Sequence, residues 1–78
     1  MIRLRVVTEL PADDFGPHEW FVETVTLLPT FAPTAERAHD RLERLVRLTD
    51  YFELRHVESP GVFPLNTSTI RSFAVWEA

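Results

Sequence analysis

Residues 2 to 10 read Ile-Arg-Leu-Arg-Val-Val-Thr-Glu-Leu, which sets Ile2, Leu4, Val6 and Leu10 on one side of an extended chain and Arg3, Arg5 and Glu9 on the other. Period-two alternation with β-branched residues predicts a half-buried strand ending at Pro11. Residues 11–19 hold two prolines, a glycine and an Asp pair, which is loop chemistry. The stretch from Trp20 to Leu28 admits two readings. Pro17 and Glu19 are placed to open a helix with a Phe21, Val25 and Leu28 stripe. Val22, Thr24, Val25 and Thr26 are β-branched, however, and lose χ1 freedom in a helix, so a strand with apolar residues on both faces is expected.

After the connection Pro29-Thr30-Phe31-Ala32-Pro33, the period changes to that of a helix running from Pro33 or Thr34 to about Thr49. Ala35, Ala38, Leu42, Leu45, Val46 and Thr49 form its apolar stripe. Asp40 with Arg44 and Glu43 with Arg47 supply acid-to-base pairs four residues apart on the other face. From Tyr51 the period returns to two, with Phe52, Leu54 and His56 alternating with Glu53 and Arg55. Ser59-Pro60-Gly61-Val62 suits a type II turn. Residues 62 to 65 are expected as a short return strand or a loop, and Pro64, which has no N–H to donate, confines any such strand to an edge. A last strand, Thr69 to Trp76, is expected with Ile70, Ala74 and Trp76 on one face and Arg71, Phe73 and Val75 on the other.

The order β-β-α-β-(β)-β lacks strand-helix alternation, so the pattern predicts an α+β fold. Its expected form is a small antiparallel sheet of four to five strands with one α-helix packed on one face, in a single domain spanning residues 1–78. Ile2, Leu4, Val6, Phe52, Leu54, Ile70, Ala74 and Trp76 are the expected helix-facing core. The opposite face then mixes Arg3, Arg5, Val7 and Glu9 with Tyr51, Glu53, Arg55 and Val57 and with Arg71, Phe73, Val75 and Glu77. Such a face is either solvated, with cross-strand Arg and Glu pairs, or a homodimer contact burying Val7, Tyr51, Phe73 and Val75. Arginines on phosphates with Tyr51 or Phe73 stacked on bases would make it a platform for single-stranded nucleic acid. Four arginines against three glutamates leave that face only +1, in a chain of net charge −4, so nucleic acid is a poorly supported partner.

Length explains why a second copy is attractive. A chain of 78 residues buries only about 60 to 65% of its unfolded surface, so an added partner contributes much. It contains no cysteine, which removes disulfides and thiolate chemistry and, with no apolar run long enough to span a bilayer and no signal-peptide pattern, places the expected location in the cytoplasm. All eight basic residues are arginine, which reads as the codon bias of a GC-rich bacterium or its phage.

The negative charge is concentrated. Residues 9–28 carry Glu9, Asp13, Asp14, Glu19 and Glu23 and no basic residue other than His18. Asp13, Asp14, Phe15, Glu19, Trp20 and Phe21 therefore form a candidate partner-binding segment, in which the aromatics anchor and the acids steer encounter; alternatively the aromatics fold back as a lid on the core. Asp13, Asp14, His18 and Glu19 are oxygen and imidazole donors, but without the spacing of a known divalent-ion loop. His18, His39 and His56 are scattered, Ser59, Ser68 and Ser72 lack a nucleophile context, and two glycines cannot build a phosphate loop. His56, on an apolar strand face, is expected as a hydrogen-bonded core histidine. The expectation is a non-catalytic, cofactor-free and metal-free accessory protein that binds another protein and self-associates, with single-stranded nucleic-acid binding and divalent-ion binding as the alternatives.

Overall fold

The alternating pattern at the N-terminus becomes the central strand of a sheet. The computed structural model describes residues 1–10, 16–58 and 61–78. Along the chain run β1 (Ile2–Leu10), β2 (Glu19–Thr26), α1 (Ala35–Leu48), β3 (Tyr51–Arg55), β4 (Val62–Asn66) and β5 (Ile70–Glu77), with a 3-10 turn at Thr67–Thr69 leading into β5. The α+β class and the element order agree with the pattern of the sequence. The Ser59-Pro60-Gly61-Val62 turn has two of its residues outside the described ones.

The strands do not form one sheet. β1 lies between β2 and β5 in an antiparallel three-stranded sheet, and β3 and β4 form a separate hairpin. The hairpin meets β2 only at its end, through a bridge between Leu27 and His56 and a bond from the Val57 N–H to the Thr26 carbonyl (2.9 Å). The Thr26 N–H donates to Glu58 Oε1 at 2.5 Å. A carboxylate thus occupies the place where a further strand would have continued along β2. The hairpin instead covers the core side of the sheet, where Phe63 and Leu65 line one cavity with Val6, Thr8 and Phe21.

Helix α1 covers the remainder of that side, over β5 and β1. Thr34 caps it by accepting from the Arg37 N–H (3.2 Å), and Glu77 Oε1 accepts from the Ala35 N–H (3.1 Å), adding an anionic acceptor where the orphan donors and the positive end of the helix dipole lie. Arg41 donates to the Phe31 carbonyl (2.6 Å) and lies over the Phe31 ring, which pins the connection from β2. The core gathers Ile2, Leu4 and Val6 of β1, Val25 and Leu27, Ala38 and Leu42 of α1, and Phe52, Leu54 and Leu65 of the hairpin.

The facing of β5 differs from the expected one. Val75 lies opposite Leu4 and Phe73 opposite Val6, so both pack on the core, whereas Ala74 and Trp76 lie opposite Arg5 and Arg3 on the other side. A bulge is the reason. Ser72 pairs with Val7 and Ile70 with Thr8, so Arg71 is an extra residue and Ile70 returns to the core side out of step with residues 72–77.

Candidate interaction face

Antiparallel partners share a face, so the register assembles the side of the three-stranded sheet away from α1 row by row. Thr26, Arg3 and Trp76 form one row and Thr24, Arg5 and Ala74 the next. Val22, Val7 and Ser72 follow, and then Trp20 and Glu9 beside the bulged Arg71. No described segment covers the middle of this face. Trp20 is 57% exposed, Val22 62% and Trp76 38%.

Polar groups close both ends. Glu9 bridges His18 Nε2 (2.6 Å) and Arg71 Nε (2.6 Å), and the His18 ring lies 5.5 Å from that of Trp20. The hydrogen bond from Arg71 holds the Glu9 carboxyl below the usual glutamate range, aided by the charges of Arg71 and His18. At the other end Glu58 accepts from the side chain and the N–H of Thr26, which lowers its pKa, and the Arg3 charge adds to this. A lowered folded-state pKa means stability that is present above the unfolded value, near 4.5, and is lost as pH falls through the folded one. The gap in urea midpoint between the wild type and Glu58→Gln is therefore expected to narrow as pH falls below about 4.5, and to close once pH has passed the lower folded-state value and Glu58 is neutral in the folded wild type as well. A gap unchanged from neutral pH into this acid range would contradict the assignment.

Of the candidate binding residues, Asp13, Asp14 and Phe15 lie outside the described residues. Glu19 opens β2 on the surface. Trp20 and Phe21 do not form one surface, because strand alternation sends Trp20 to the outer face and Phe21 to the core side, beside Phe63. The four residues expected to make a dimer face are also separated. Val7 lies on the outer face, Tyr51 is on the hairpin with its hydroxyl donating to Glu53 (2.9 Å), and Phe73 and Val75 pack on the core, with the Phe73 ring 5.1 Å from that of His39. The bulge and the detached hairpin are the physical causes. Beside Val7 the outer face carries Val22, Thr24, Ala74 and Trp76, whose parity within β2 and within β5 is readable along the chain but whose common face is not.

The remaining chemistry is dispersed. His18 belongs to the Glu9 network. His56, expected to be hydrogen-bonded, has a buried Nδ1 with no hydrogen-bond partner among the described residues, 3.6 Å from Glu58 Oε1, and its ring stands edge-on to Phe63. His39, Asp40 and Glu43 come within 4.8 Å of one another on the exposed side of α1, an ordinary helix-surface grouping. No helix among the described residues is long and apolar enough to cross a membrane. Compared with known proteins, the chain matches no family model, no curated protein and no solved structure.

Proposed function

We propose that this chain is a small non-catalytic interaction protein whose working surface is the outer face of the three-stranded sheet together with the edge of β2, where it accepts an extended segment as an added strand. The observation that carries this reading is the exposure of Trp20 and Val22 along an edge strand, at 57% and 62%. An apolar face bordered by an edge ladder is the surface that β-strand addition uses, with main-chain bonds giving affinity and alternate side chains giving selectivity.

The outer face supports nucleic acid less well. Arg71 is engaged by Glu9 and Arg3 faces Glu58, which leaves Arg5 as the cation of that face without an acidic neighbour among those described. The shifted acids, Glu9 and Glu58, are accounted for by structural pairings, which suits a binding protein better than an acid-base catalyst.

A random-peptide display library panned on the protein, immobilised sparsely so that copies do not meet, tests the reading. Enrichment of extended, β-branched or aromatic peptides on the wild type and its loss on Val22→Lys is the expected result. Equal recovery on both, or enrichment on neither, would overturn it.

A further inference from the structure

We infer that the strand added to β2 is β2 of a second copy, running antiparallel with Val22 at the two-fold axis, so that two three-stranded sheets join into one. This rests on the strand-addition reading above and names its occupant.

The backbone directs the argument first. The Leu27 N–H donates to the Ile2 carbonyl (2.9 Å), which marks that row as hydrogen-bonded. Alternation then makes Leu4 with Val25, Val6 with Glu23 and Thr8 with Phe21 bonded rows, and turns the N–H and C=O of Trp20, Val22, Thr24 and Thr26 away from β1. Thr26 confirms the phase, since its outward carbonyl accepts from Val57 and its outward N–H donates to Glu58. Trp20, Val22 and Thr24 have no such partner among the described residues. Three consecutive outward rows are therefore unfilled, on a strand with no proline, lysine or bulge within residues 19–26 to blunt its edge.

The register follows from charge and length. Two-fold antiparallel pairing keeps the sum of paired residue numbers constant, and like charges directly opposite each other are destabilising. Centring on Phe21 sets Glu19 against Glu23 of the second copy, and centring on Glu23 sets that residue against itself. Centring on Trp20 carries Val22 and Thr24 past the start of the neighbouring strand at Glu19. Centring on Val22 sets Trp20 against Thr24, Val22 against Val22 and Glu23 against Phe21. All three unfilled rows of each copy then match those of the other, and no two acids face. The same pairing brings Val22 and Trp20 of both copies together on the outer face, covering the most exposed apolar side chains of β2.

The absence of cysteine makes the register directly readable, because an introduced thiol is the chain's sole thiol. Bonded antiparallel rows hold Cα atoms about 5.5 Å apart, within disulfide range. Under mild oxidation Val22→Cys is expected to form a covalent dimer at least about tenfold faster than Phe21→Cys or Glu23→Cys. By sedimentation the wild type is expected at twice 9.1 kDa, and Val22→Lys, with two cations at the axis, at 9.1 kDa, still folded by circular dichroism but with a melting temperature that no longer rises with protein concentration. Fastest cross-linking at Phe21→Cys or Glu23→Cys overturns the register, and a Val22→Lys variant that remains dimeric overturns the interface. A wild-type mass of 9.1 kDa at concentrations on the order of 100 µM removes the second copy. If that monomer still captures peptides in a Val22-dependent way, strand addition stands with another occupant; if it captures none, both readings fall.

Discussion

Replacing Leu4 with alanine is expected to cost roughly 3 to 5 kcal/mol and to leave the chain at or beyond the limit of cooperative folding. Leu4 is 0% exposed, sits on the central strand, and lies opposite Val25 on one side and Val75 on the other. Deleting its isobutyl group opens a void that neighbours on both flanking strands cannot close together, because each is fixed by its own ladder to β1. A folded chain of 78 residues has about 4 to 12 kcal/mol of total stability, so one such void removes a large share of it. Thermal unfolding followed by circular dichroism should show a midpoint lower by on the order of 15 to 30 °C, or no transition at all. Arg5→Ala, one residue along the same strand but exposed, should stay within about 0.5 kcal/mol of the wild type. A Leu4→Ala loss below about 1 kcal/mol would mean that β1 is not central to the core.

How much of this fold can be read along the chain depends on where each instruction resides. β1 and α1 are legible because their apolar residues fall on one side and their surroundings do not alter that side. β2 is legible as a strand because Val22, Thr24, Val25 and Thr26 all disfavour a helix. Its position at the edge is not, since that depends on Glu58, more than thirty residues away, capping Thr26 and turning the hairpin aside. The same distance effect governs the outer face of the sheet. Trp20 stands out along the chain by its acidic aromatic surroundings, whereas nothing in the sequence marks Val22 and Thr24, whose backbone groups point outward only because of the register with β1. Tyr51 lies off the outer face for the reason that split the sheet.

The facing of β5 is the other reading that alternation could not supply. Ile70, Ala74 and Trp76 share parity along the chain, and a regular strand beginning with Ile70 in the core would bury all three. The bulge at Arg71 breaks that parity. Its side chain reaches Glu9 at 2.6 Å on the outer side, and residues 72–77 are thereby shifted by one, which puts Phe73 and Val75 inside. Exchanging the two aromatics for alanine separately measures this shift. Phe73 packs against the core beside His39 and opposite the buried Val6, yet it is only partly enclosed, so Phe73→Ala should cost about 2 to 3 kcal/mol, somewhat less than a fully buried phenylalanine. Trp76, 38% exposed on the outer face opposite Arg3, should cost less, about 1 to 2 kcal/mol when truncated, since part of it already faces solvent and its loss leaves no enclosed void. Urea midpoints of the two variants should therefore differ clearly, with Phe73→Ala the less stable. The opposite order would restore simple alternation along β5, return Trp76 to the core, and remove it from the outer face.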